Sequence, residues 1–221
     1  MYSPLTLPYL GLATFILLLL FVLLEIGVIE TVYQKLGMSH RAIVVLLMAS
    51  VVGSSINIPV AVILSGSLIH DRVVVSHGIT YVIPHVMIPG HTIIAINVGG
   101  ALIPILLCAY LLWRVGGLAA TILAVTIVAA VTYHFSNVVP GLGITVPTLI
   151  PAVTATIAAL LIQRRRSASL AYIAGTLGCL IGADILNLPA FPHFHAPMAS
   201  IGGAGTFDAV FLSGIIAVLL A

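Results

Sequence analysis

Long apolar runs separated by short polar connections recur along this chain, and run length is the first guide to its structure. A helix needs roughly 20 predominantly apolar residues to cross the hydrocarbon core of a bilayer. Seven runs meet or approach that length: Leu5–Ile29, Ala42–Ser65, His91–Trp113, Leu118–His134, Val146–Ile162, Leu170–Leu188 and Gly203–Ala221. The pattern predicts an all-α polytopic membrane bundle of about seven spans, a single transmembrane domain over residues 1–221. The first apolar stretch, Leu10–Leu24, lacks a preceding basic region and a small-residue cleavage site, so it reads as a retained helix.

One connection is different. Residues 66–90 contain the β-branched run Arg72-Val-Val-Val-Ser-His-Gly-Ile-Thr-Tyr-Val-Ile83, broken at Ser76-His77-Gly78. This predicts a short β-hairpin. Unpaired backbone is costly in lipid, so the hairpin is expected over the mouth of the bundle.

Composition agrees with a membrane location. The chain is 62% hydrophobic and 5% charged, against about 25% charged in soluble domains. A net charge of +2 with no basic patch excludes a nucleic-acid partner. Cys108 and Cys179 each fall inside an apolar run and read as small buried hydrophobes.

The basic residues set an orientation. Lys35 and Arg41 lie between the first two runs, Arg114 between the third and fourth, and Arg164, Arg165 and Arg166 between the fifth and sixth. These alternate connections share one side, which the positive-inside rule makes cytoplasmic. The expected location is a prokaryotic cytoplasmic membrane, with the N-terminus outside and the C-terminus inside. The hairpin is then extracytoplasmic.

Several runs carry helix breakers: Gly53-Ser-Ser-Ile-Asn-Ile-Pro59, Asn97-Val-Gly-Gly100 with Pro104, Pro147 with Pro151, and Gly202-Gly-Ala-Gly-Thr206. Proline removes a backbone donor and glycine weakens a helix. Interrupted membrane helices line binding cavities. Small residues also serve close packing.

Only five acidic residues occur, and acids within apolar runs are functional-site candidates. Asp184 comes about four residues before the outer end of the sixth run, and Asp208 about five residues into the seventh, which places both roughly 6–8 Å below the outer interface. Asn57, Asn97, Asn187, His134 and Asn137 fall in the same layer, with Gly203, Gly205 and Thr206 at the entry to the last run. Glu25 is a further acid, nearer the inner side.

Four readings of this layer compete. Asp184 and Asp208 could share a proton as a catalytic dyad, one acting as base and the other as acid. The same acids with Asn57, Asn97 and Asn187 could carry a cation or protons in a transporter. His193 and His195 could join an Asp around a divalent metal, the least favoured reading because no HExxH or paired CxxC accompanies them. Finally, each Asp could accept hydrogen bonds from glycine-loop amides and cap a helix.

The stretches Ser54-Ser-Ile-Asn-Ile-Pro59, Ile96-Asn-Val-Gly-Gly-Ala-Leu-Ile-Pro104, Gly182-Ala-Asp-Ile-Leu-Asn187 and Ser200-Ile-Gly-Gly-Ala-Gly-Thr-Phe-Asp208 through Gly214 resemble a prokaryotic family of polytopic membrane proteins of unknown function. That resemblance covers the chain from about Arg41 onward and implies no activity. A looser likeness is to presenilin and signal-peptide-peptidase intramembrane aspartyl proteases. Those place one Asp near a helix end and the next in a Gly-x-Gly-Asp entry to the following helix. Asp184 and Gly203-Ala-Gly205-Thr-Phe-Asp208 are similar in layout, with two extra residues before Asp208. That likeness implies a dyad of Asp184 and Asp208.

The expected function is therefore a membrane-embedded aspartyl-type hydrolase. The alternatives are a cation- or proton-coupled transporter, or a non-catalytic membrane subunit that assembles through small residues such as Gly116, Gly117 and Ala120. No cofactor is expected. The expected partners are the bilayer, a membrane-protein or peptide substrate, and a second copy if the chain is a homo-oligomer.

Overall fold

The computed structural model describes residues 32, 34–64, 72–76, 79–83, 91–139, 143–193, 197–203 and 209–221. The run Leu5–Ile29, with Glu25, lies outside the described residues, as do His195, Gly205, Thr206 and Asp208.

Six α-helices carry most of the described chain: α1 (His40–Gly53), α2 (Ile103–Val115), α3 (Leu118–Phe135), α4 (Leu149–Ile162), α5 (Ser167–Cys179) and α6 (Ala209–Leu220). Two of them are extended by π-helical segments, Val98–Leu102 before α2 and Leu180–Ile185 after α5. Among the described residues, three apolar helices are long enough to cross a membrane: Val98–Val115, Leu118–Phe135 and Arg164–Ile185. Helices α4, of 14 residues, and α6, of 12, are apolar but shorter.

Helices α3 and α4 are built inside out relative to a soluble bundle. In α3 the buried positions are Thr121, Ala124, Val128, Ala129 and Thr132, while Leu118, Ile122 and Leu123 are exposed. Helix α4 buries Ala152, Ala155, Thr156, Ala158 and Ala159 and exposes Leu149, Val153, Ile157 and Leu161. Large side chains facing out and small ones facing in suit a lipid surround. There the hydrophobic effect does not drive helix association, and close backbone approach does. A Cβ on Gly178 would lie 2.5 Å from Val128 Cβ, and one on Gly182 would lie 2.5 Å from the Ala129 carbonyl oxygen. Between α5 and α6, Ser213 Oγ donates to the Gly175 carbonyl at 2.9 Å. Between α4 and α6, Thr156 Oγ1 lies 3.2 Å from the Ala217 carbonyl.

Two of the runs read as continuous helices are corrected by the structure. Each is half helix and half strand. The second changes at Gly53: α1 stops, and Asn57–Leu64 continues as β1. The third begins as β4 (His91–Asn97) and becomes helical only at Val98. The fold is mostly helical with a small sheet, rather than all-α, and seven complete spans are not seen among the described residues. The physical cause is local. Asn-Ile-Pro-Val-Ala-Val-Ile-Leu and His-Thr-Ile-Ile-Ala-Ile-Asn are rich in β-branched residues, which favour strands.

The sheet has the order β1-β4-β7, with β7 at Met198–Ile201. Strands β1 and β4 pair antiparallel, Asn57 opposite Asn97 and Leu64 opposite His91, with a register shift between Pro59 and Ala61. Proline has no N–H for the ladder, so a bulge on an outer strand of the sheet accommodates it. Strands β4 and β7 are parallel, Ile93 opposite Met198 and Ile96 opposite Ile201. In sequence, β4 precedes α2 and β7 precedes α6. The expected hairpin is present: β2 (Arg72–Ser76) pairs antiparallel with β3 (Ile79–Ile83). A second small ribbon joins β5 (Asn137–Val139) to β6 (Gly143–Thr145).

The contact of α3 with α5 yields a test. Gly182→Ala should destabilise the folded protein by about 1–3 kcal/mol, because its methyl meets backbone that cannot give way. Ala119→Ser, on the exposed face of α3, should leave stability unchanged. Unfolding of both variants in detergent micelles checks this, and equal stability would refute the packing account.

Candidate functional site

The breaks in the second and third runs are held by polar side chains. Asn97 ends β4 and is fully buried. Its Oδ1 accepts from the Gly100 N–H at 2.7 Å and caps the π-helical segment. Its Nδ2 donates to the Ser54 carbonyl at 2.7 Å and to Asn57 Oδ1 at 3.2 Å. Asn57 Oδ1 also accepts from Ser200 Oγ at 2.6 Å. Thus one asparagine ties the end of α1, the start of β1 and the start of the α2 segment. A second asparagine ties β1 to β7. Ser50 Oγ adds a bond to the Gly99 carbonyl at 2.7 Å, and the Val98 N–H reaches the Ile56 carbonyl at 3.0 Å.

Asp184 lies in the π-helical segment that extends α5, and it is buried. Its Oδ2 accepts from the Gly202 N–H at 2.7 Å. Gly202 has φ +83° and follows β7 directly. That conformation is easy for glycine and strained for other residues. The Gly202 carbonyl oxygen occupies the space that a side chain on Gly100 would need. A Cβ on Gly202 would in turn lie 2.5 Å from Ala101 Cβ. One glycine therefore touches the Asp184 carboxylate on one side and the Asn97-capped turn on the other. Around it, Ala101, Cys179, Leu180 and Val210 form a buried apolar cluster, with Ile96, Ile201 and Ala209 packed against it.

The other expected residues divide into groups. Asn57 and Asn97 are in direct contact, and Asp184 joins them through Gly202 and Gly100. Asn187 turns elsewhere: its Nδ2 donates to Ser136 Oγ at 2.9 Å and to the carbonyls of Gly182 and Ala183 at 3.2 and 2.8 Å. It fastens the end of α5 to the end of α3. His134 and Asn137 are exposed, with the His134 ring edge-on to Phe135. Gly203 follows Gly202 with φ +82°. His193 ends a 3₁₀ segment, Leu188–His193. Among the described residues, no three His, Cys, Asp or Glu side chains come together. Cys108 and Cys179 are buried and are not joined in a disulfide.

Sequence reasoning missed Ser50 and Ser200, and it read Gly100 and Gly202 only as helix breakers. Each acts through its backbone or a single hydroxyl. The only sequence signal is their closeness to a breaker or to an asparagine.

Among the described residues, three helices long and apolar enough to cross a membrane, with large apolar side chains on their outer faces, mark a membrane protein. Residues 51–220 match the family described as Protein of unknown function (DUF1614), and the chain belongs to it. No curated protein and no solved structure matches it.

The network predicts an asymmetry between its two asparagines. Asn57→Asp keeps both acceptor contacts of Oδ1 and should be tolerated. Asn97→Asp removes two donors and leaves the Ser54 carbonyl and Asn57 Oδ1 facing a carboxylate. A lost partner for a buried polar group costs about 1–3 kcal/mol, and more near charge, so Asn97→Asp should be the more destabilising by at least about 2 kcal/mol. Thermal unfolding of the two variants in one detergent checks the order; a reversed order would refute it.

Proposed function

We propose that this protein is a membrane-embedded aspartyl-type hydrolase in which Asp184 and Asp208 share one proton. The observation that carries the reading is the place of Asp184. Its buried carboxylate is held on the Gly202 amide, shortly before Asp208 and α6 in the sequence. Ala209, the residue after Asp208, packs against the cluster that contains Leu180, one helical turn before Asp184. Two carboxylates brought together cannot both ionise easily, so one keeps a proton. The ionised member then takes a proton from water as the water attacks the scissile carbonyl. The protonated member gives its proton to the leaving nitrogen.

Packing beneath Asp184 favours hydrolysis over transport. Leu180, Cys179, Thr176, Ile173 and Tyr172 follow one another down α5, and all are buried. Tyr172 and Ile173 join Leu107, Leu111, Phe211 and Val218 in one apolar cluster. A route for ions from Asp184 to the opposite end would have to open this cluster. The proposed setting is a prokaryotic cytoplasmic membrane with the site toward the outer leaflet, which makes a membrane-inserted peptide or protein segment the substrate class.

The test uses the full chain in proteoliposomes with single-span model peptides in H₂¹⁸O. Wild type should yield fragments carrying ¹⁸O at the new carboxyl terminus. Asp184→Asn and Asp208→Asn should each lower the rate by about 10²–10⁴-fold, the range for loss of a general acid or base. The side-chain amide introduced by Asp184→Asn still offers an oxygen to the Gly202 N–H, so folding should survive. Absence of labelled fragments from wild type, or full activity in either variant, would overturn the proposal. Altered stability in the variants without any such activity would mark the pair as structural.

A further inference from the structure

At the end of the bundle opposite Asp184, a cavity of about 460 Å³ opens between helix ends. This is within the range of small-ligand sites, roughly 300–1,000 Å³. Lys35, Arg114, Arg165 and Arg166 line it, with Ser167 and Ser169 from the first turn of α5. Among the described residues, no acidic side chain lines it. These four cations come from three separate connections, and they are four of the seven basic residues in the chain.

Three of the cations are held in place by neutral partners. Arg114 Nη1 donates to the carbonyls of Leu36 and Gly37 at 3.1 and 2.7 Å. Arg166 Nη1 donates to the Val115 carbonyl. Lys35 Nζ lies 3.5 Å from the Val218 carbonyl. Carbonyls orient these groups without cancelling their charge. Arg165, the fourth, is exposed. Ser167 Oγ lies 3.5 Å from the Ala221 carbonyl oxygen. Even a carboxylate at Ala221 would balance only one of the four charges.

Gathering like charges is unfavourable unless an anion joins them. Arginine forks and serine hydroxyls are donors, and they match the several acceptor oxygens of a phosphate group. Trp113, beside Arg114, is 84% exposed. An exposed Trp next to helix-end cations marks the level of lipid headgroups. Basic pockets between membrane helices hold anionic headgroups by this chemistry.

We infer that this cavity binds a phosphate-bearing anion, through Lys35, Arg114, Arg165 and Arg166. The site is independent of the Asp184 chemistry. The phosphate can come from an anionic phospholipid headgroup or from a soluble phosphate, and the two sources are separable.

The experiment measures thermal unfolding of the full, delipidated chain in neutral detergent. Phosphatidylglycerol, phosphatidylcholine or inorganic phosphate is added, with chloride at matched ionic strength as control. Phosphatidylglycerol should raise the unfolding temperature, and phosphatidylcholine should not. Arg165→Gln should weaken the apparent affinity about fivefold, the value expected for one cation near an anionic headgroup. Arg41→Gln, a basic residue outside the cavity, should leave it unchanged. An equal response to inorganic phosphate, lost in Arg165→Gln, would assign the site to soluble phosphate. Should Arg165→Gln not fold, Lys35→Gln takes its place in the same titration. No stabilisation by either phosphate source, or equal weakening by Arg41→Gln and Arg165→Gln, would overturn the inference.

Discussion

Gly202 has almost no room, and the middle of the molecule is arranged around that fact. Its amide is bound to Asp184, its carbonyl fills the space over Gly100, and Ala101 closes on its Cα. Any side chain at position 202 or 100 would force the end of β7 and the α2 segment apart. Both helices that meet here change to a wider π-helical winding at this level. Such bulges concentrate at functional sites because they redirect backbone groups away from the regular ladder. Here Asn97 takes up one freed amide, and the Asp184 carboxylate reaches across to a neighbouring segment.

The rest of the architecture follows from how an interrupted segment can survive in an apolar setting. A helix that stops leaves amides and carbonyls without partners, and lipid supplies none. Breaks at Gly53 and Asn97 are therefore matched in position, so that the strand from one pairs with the strand from the other. Asn57 and Asn97 sit opposite each other at the point where both segments change from helix to strand. Below that level small residues, interhelical hydroxyls and a cluster of large apolar side chains close the bundle. Among the described residues, one polar group surrounds Asp184 and another gathers at the basic helix ends. The two are separated by the apolar layer of Tyr172, Leu111, Phe211 and Val218.

That separation keeps the two proposed sites apart. The proton transfer proposed at one end rests on the buried Asp184 carboxylate, held on a glycine amide. A ring of cations at helix ends suits the capture of an anion at the membrane surface. Neither needs a continuous path through the protein, and the packed middle makes each site a local device.

Much of this could be read directly from residue order. Membrane character, the hairpin at Arg72–Ile83, the breakers at Gly53–Pro59 and Asn97–Pro104, and the grouping of Lys35, Arg114 and the Arg164–Arg166 run all follow from local composition or spacing. The strands β1 and β4 do not. Ile and Val add the same hydropathy to a strand as to a helix, and a strand that is apolar on both faces has no alternation to reveal it. Which asparagines meet was equally hidden: Asn187 has the same chemistry as Asn97, yet it turns to Ser136 because the end of α3 packs beside it. Sequence alone determined that this chain lives among lipids and where its helices weaken. Tertiary structure decided which weak points face each other, because that depends on the sub-ångström clearance around glycines and on the partners available to each freed backbone group.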